Sequence, residues 1–159
     1  MANRIYTVEF ENVTVTNAGG DQELFALTAA DDKPIELVGM HLAQFSDLQD
    51  AAEEVLRFRV IRGHATISSG GAAPTPRPAK PNDAAAGFTS RTNDTTIAST
   101  GTPVNLVSFG MNIRTPSDYW FPQDCEPGTD QTAGILVVRL MAGPTDDVVM
   151  SGTLWVREK

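Results

Sequence analysis

Apolar side chains recur at every second position along much of this chain, and that period is the spacing of one face of a β-strand. In the stretch RIYTVEF, residues 4–10, Tyr6, Val8 and Phe10 share one face and Ile5, Thr7 and Glu9 the other. In VLRFRVIRG, residues 55–63, Leu56, Phe58 and Val60 alternate with Arg57, Arg59 and Ile61. Toward the end of the chain Met150, Leu154 and Val156 share a face, with Gly152 between them. Residues 12–16, 23–29, 34–45, 103–113 and 134–141 read as further strands. NAGGDQ at 17–22 and ADDKP at 30–34 punctuate them as turns. Only residues 46–56 have helical spacing. Ser46 is a candidate cap there, Leu48, Ala51, Ala52 and Val55 fall near one face, and acids crowd the first turn.

Many short strands, regular turns and at most one short helix predict an all-β fold, a sandwich of two sheets. A jelly roll is the preferred version because two packed sheets bury these alternating faces, with an immunoglobulin-like sandwich as the alternative. The 159 residues suit a single domain spanning 1–159, large enough to bury a core without metal or disulfide support. No apolar run approaches the roughly 20 residues that span a bilayer, so no membrane partner is expected. The start, MANRIYTVEF, lacks the pattern of a secretory signal, and a cytoplasmic site of synthesis is expected. Without secretion, the glycosylation triplets at Asn12 and Asn93 carry little weight.

One segment breaks the strand pattern. Residues 70–87, GGAAPTPRPAKPNDAAAG, hold prolines at 74, 76, 78 and 81 and no large apolar side chain. Proline donates no amide hydrogen and favours extended backbone, so this segment is expected to be a polyproline-like arm between strands. Fully extended, it would reach about 55 Å. Loops of this length are functional or disordered in compact domains. An arm laid along another protein, an ordinary surface loop and a ligand for a proline-binding module are the three readings. Its prolines reduce the entropy lost on docking, and Arg77 and Lys80 suit an acidic neighbour. The arm reading expects removal of 70–87 to leave the fold intact.

Charge is unevenly spread. The chain carries net −8, with −9 in residues 1–54, +5 in 55–92 and −4 in 93–159. That overall sign argues against nucleic acid as the main partner. The basic block contains Arg57, Arg59, Arg62 and His64 on one predicted strand. A solvated strand face, a phosphate-binding stripe and a docking surface for acidic protein are its alternatives.

Catalytic patterns are weak. His41 and His64 lie in no zinc-binding spacing, and no nucleophile elbow or phosphate-binding loop occurs. Asp47, Asp50, Glu53 and Glu54 miss the spacing of a calcium loop and read as a solvated acidic face. Cys125 stands alone between Asp124 and Glu126, carboxylates that disfavour a thiolate. No catalytic residue, cofactor or metal is therefore expected. SDYWFP at 117–122 clusters Tyr119, Trp120 and Phe121, which suit a core edge that doubles as an intersubunit contact, or a sugar-binding face.

The segments at 23–47 and 53–78, with DAAAGF, NDTTIAST and the terminal MSGTLWVRE, resemble a family of short proteins encoded among the structural genes of tailed bacteriophages. The resemblance spans nearly the whole chain. By analogy it implies a head cement, or decoration, protein on the capsid surface of a virion, made in the host cytoplasm. Such proteins commonly form homotrimers over junctions of the major capsid protein. The implied interface residues are Arg57, Arg59, Arg62, Pro74, Pro76, Arg77, Pro78, Lys80, Pro81, Tyr119 and Trp120. A tail-associated or receptor-binding module is the alternative, and a small jelly-roll hydrolase a third class.

Overall fold

A computed structural model describes residues 4–46, 53–130, 132 and 134–159. Ten strands form: β1 (Arg4–Val15), β2 (Gln22–Thr28), β3 (Ile35–Gln44), β4 (Val55–His64), β5 (Arg77–Pro78), β6 (Thr89–Asp94), β7 (Val104–Asn112), β8 (Ser117–Trp120), β9 (Ile135–Leu140) and β10 (Val148–Glu158). They make two five-stranded sheets in the orders β5-β1-β10-β3-β8 and β6-β2-β9-β4-β7. Every strand pairing is antiparallel.

This strand order settles the topology. Without the short edge strands β5 and β6, the chain changes sheet at every step except from β4 to β7, which pair within one sheet, so 1-10-3-8 faces 2-9-4-7. That is an eight-stranded jelly roll. In an immunoglobulin sandwich the first two strands share a sheet, whereas here β1 and β2 lie in different sheets and β1 pairs with the last strand. No helix occurs among the described residues. The helical reading of 46–56 lies mainly on residues 47–52, outside them, and its end, Val55–Leu56, is strand.

The predicted faces become the core. Tyr6, Val8 and Phe10 of β1, Leu56, Phe58 and Val60 of β4 and Met150, Leu154 and Val156 of β10 share one buried cluster, in which Phe10 meets Phe25 of β2 across the sandwich. Gly152 leaves the space into which Phe10 and Leu42 pack, since a Cβ there would lie 2.9 Å from Phe10 Cε1 and 2.8 Å from Leu42 Cδ2. The stretch 12–16 is no separate strand. It continues β1 past a bulge between Phe10 and Val13, where Asn12 adopts a φ of 53°.

β9 is buried along its whole length, because its outer face is covered too. The covering is the long connection between β4 and β7. Its two limbs run antiparallel, bridged at Thr66–Ser99, Ser69–Thr96 and Ala72–Thr92. Ala98 and Ile67 from this roof pack onto Ala26, Ile61, Ile135 and Val137.

Candidate functional site

The arginine stripe, the proline segment and the aromatic cluster occupy different parts of the body. The proline segment is not a free arm. At its entry the buried carboxylate of Asp94 accepts hydrogen bonds from Gly71 N (2.7 Å), Ser68 Oγ (2.6 Å) and the Arg91 guanidinium (2.8 and 2.9 Å). At its exit the buried carboxylate of Glu158 accepts Gly87 N at 2.6 Å. Between these clamps Arg77 and Pro78 pair with Thr7 and Tyr6 as β5. The Tyr6 hydroxyl donates to Ala84 O at 3.0 Å, and the Tyr6 ring meets the edge of buried Phe88. Pro76 is buried, and Pro74 is half-buried with its carbonyl accepting the Ser90 hydroxyl at 2.6 Å. Arg77, Lys80 and Pro81 are exposed, and Pro78 is half-buried. The segment is thus a strap along the β1 edge, and removing it would strip that edge rather than trim a loose arm. Prolines suit this place because an edge strand has one side without donors to supply.

Arg57 and Arg59 stand on the outer face of β4, beside β7. Arg57 is exposed, Arg59 half-buried, and neither has an ion-pair partner among the described residues. Opposite them on β7 are Gly110 and Ser108, which have little or no side chain. Arg57, Arg59 and Ser108, with Phe58, Phe109 and Met141, line an open trough of about 400 Å³. Arg62 lies past an irregularity in β4, its guanidinium 3.4 Å from Gly128 O, and does not join this pair.

Tyr119 and Trp120 sit on β8, at the edge of the other sheet and next to β7 in space. Rings stack from Phe58 to Phe109 (5.2 Å) to Tyr119 (5.8 Å), and Tyr119 meets Phe121 at a tilt (4.8 Å), closing this side of the sandwich. Trp120 faces the other way, onto Trp155 at 4.7 Å and over Gly39, whose missing Cβ makes room for the indole. Trp120 is 55% exposed and Tyr119 37%. Val55 and Val104 are exposed too, at opposite ends of the β4–β7 pairing, where Val55 faces Asn112 and Val104 faces Arg62. The strap lies at the opposite edge of its sheet, β5 against β8. Arg57 and Arg59, on the outer face of one sheet, and Tyr119 and Trp120, on the edge strand of the other, therefore lie away from the strap residues. Both β4 and the strap belong to the basic stretch of sequence, yet they do not form one contact.

A polar cluster invisible in the sequence lies under the roof. Glu23, fully buried on β2, accepts Arg139 Nε at 3.0 Å, Arg139 Nη2 at 2.5 Å and Ala98 N at 3.2 Å. Arg139 Nη2 also donates to Ala98 O and to His64 Nε2, each at 3.2 Å. An imidazole that accepts from a guanidinium must be neutral at that nitrogen. Burial, then the Arg139 charge, hold the His64 pKa below its ordinary value, against the pull of Glu23. His64 is thus a structural side chain rather than part of the arginine stripe. Cross-strand pairing of residues remote in sequence assembles the cluster, so no local motif announces it.

Among the described residues no group of three or more His, Cys, Asp or Glu side chains is placed to hold a metal ion, and no helix is long and apolar enough to cross a membrane. Cys125 is exposed.

No protein-family model and no curated protein matches the chain. Among solved structures, the chain is similar to the VP2 protein of infectious bursal disease virus in derived T=1 particles, with 11% identity over 98% of this chain and a TM-score of 0.25. A second structure of such particles gives 11% identity over 98% of this chain and a TM-score of 0.26. The Gx strain of that virus gives 14% over 99% of this chain and a TM-score of 0.22. The chain spans about two fifths of the length of those proteins. Likeness at that level transfers no role.

Proposed function

We propose that this chain is a non-enzymatic structural protein of a virion, acting as head cement on the capsid of a tailed bacteriophage. The observation that carries the reading is the β7–β8 rim. There Tyr119 and Trp120 are exposed on the two faces of β8, Val55 and Val104 are exposed at the two ends of the β4–β7 pairing, and Arg57 and Arg59 have no acidic partner among the described residues. Exposed aromatic side chains with free arginines nearby in the fold suit a contact with another macromolecule. The sequence resemblance to phage structural proteins supplies the setting. The jelly roll supplies a rigid body, and the clamped strap offers Arg77 and Lys80 as a second cationic surface on the opposite edge. Two separated surfaces on one body suit a protein that bridges neighbours in a lattice, namely major capsid protein and copies of itself in a homotrimer. Modest contacts repeated on such a lattice add strongly through effective concentration.

The test is occupancy on capsids stripped of the protein, measured by sedimentation with purified chain. The double variant Arg57→Glu/Trp120→Ala should fold and fail to saturate the particles, and the parent should sediment alone as a trimer. A parent that stays monomeric and ignores capsids would refute the cement role. The exposure of Trp120 also favours a tail-associated or receptor-binding module. Glycan binding lost in Trp120→Ala would select that second reading.

A further inference from the structure

We propose that β7 is an acceptor for an added strand, and that its partner is an extended segment alternating acidic and apolar residues. The reasoning starts from the sheet edges. A strand at an edge presents unpaired backbone donors and acceptors, and proteins usually blunt such edges with charge, shortness or a cover. Three of the four edges here are blunted. β5 has 2 residues and β8 has 4. β6 is capped by Ala72, which exchanges two backbone hydrogen bonds of 2.9 Å with Thr92. The part of β1 beyond the strap carries Glu9, Glu11 and a bulge.

β7 is the exception. It runs for 9 residues, VNLVSFGMN, without one charged side chain or proline. Among the described residues it pairs with β4 alone. An edge strand of this length and composition would be a hazard unless something pairs with it.

The surroundings of β7 specify what would pair. Side chains of an added strand alternate between the two faces of the sheet. On the outer face they would lie beside Ser108, too small to fill the trough, and Gly110, over which Val55 packs, with Arg57 and Arg59 one strand further on. Strands sit about 4.8 Å apart, so an acidic side chain on the added strand spans two spacings by meeting an arginine over the trough. On the inner face the same strand would lie against Val107 and Phe109, where Phe109 already stacks on Tyr119. Apolar residues fit there. Main-chain hydrogen bonds would supply affinity, and the alternation would supply specificity. The inference rests on this edge and its arginines, and does not depend on the virion reading.

The probe is a synthetic peptide, Gly-Ser-(Glu-Val)₄-Gly-Ser, titrated into the full chain and followed by amide chemical shifts. Shifts should gather on β7 and β4, and affinity should fall as salt rises. Arg57→Glu/Arg59→Glu should weaken binding by about tenfold or more, while its thermal midpoint stays near the parent's. A peptide of the same composition in blocks, Glu₄-Val₄, should bind far less, as should the alternating peptide N-methylated at every second residue on its pairing side. Equal binding of the block peptide would reduce the effect to bulk charge and overturn the proposal. So would undiminished binding of the N-methylated peptide, or no binding of the alternating peptide at millimolar concentration.

Discussion

Removing Arg139 should cripple this fold out of proportion to its position in the sequence. The guanidinium is 8% exposed and pairs with Glu23, which is fully buried on the neighbouring strand. In Arg139→Leu the Glu23 carboxylate keeps one donor, Ala98 N at 3.2 Å, and Ala98 O and His64 lose theirs. Breaking a buried pair from one side leaves an uncompensated charge and costs about 3–5 kcal/mol. In a domain of this size each kcal/mol lowers the melting midpoint by roughly 2–4 °C, so a drop on the order of 10 °C follows. The double variant Glu23→Leu/Arg139→Leu removes both charges. It should recover most of that loss, keeping a residual of about 1–3 kcal/mol for the unpaired Ala98 amide. Urea unfolding of parent, single and double variants measures all three, with equal m-values required for the comparison. A single variant that loses less than about 1 kcal/mol would refute the reasoning, because the pair would then not be desolvated as its burial requires. A double variant as unstable as the single would also refute it, since shape rather than stranded charge would then carry the loss.

Acidification should weaken the fold through His64. Its folded pKa lies below the ordinary 6.5, so below about pH 6.5 the unfolded chain takes up a proton that the folded chain refuses. Stability should therefore fall as pH drops from 6.5 toward the folded pKa, and His64→Gln should flatten that part of the profile. In Asp94→Asn the neutral amide leaves Arg91 without its partner and should cost about 1–3 kcal/mol. Hydrogen exchange should speed up in residues 65–75 before it does in β9. Folding should be slow for the chain length, seconds rather than milliseconds in stopped-flow refolding, because no strand pairs with its neighbour in sequence and every pairing closes a long loop.

The faces of the long strands were legible because a period of two survives whatever the topology. Tyr6, Val8, Phe10, Leu56, Phe58 and Val60 are buried as their spacing predicts. The short strands were not legible. β5 holds Pro78, and β6, Thr89–Asp94, has almost no apolar residue because it is paired at an edge and roofed by polar chain. Of the candidate interface, Arg57, Tyr119 and Trp120 are exposed and Arg59 is half-buried; β7 and β8, remote in sequence, meet through Phe109 and Tyr119, while Trp120 turns onto Trp155 of the other sheet. The proline segment was read as projecting because its composition lacks apolar anchors. Its anchors are Asp94 and Glu158, and the latter is 71 residues away from the Gly87 amide that it holds.

Sequence alone determined that this chain forms two packed sheets and which face of each long strand turns inward. Side-chain alternation is a property of a single strand and needs no partner to be read. Tertiary structure alone decided that the sheets wind as a jelly roll, that the strap is clamped, that Glu23 and Arg139 meet under a roof, and that β7 pairs on one side only among the described residues. Each of these depends on which distant segments pair. Pairing is chosen by the burial and hydrogen bonding of the whole body, and no local pattern encodes it.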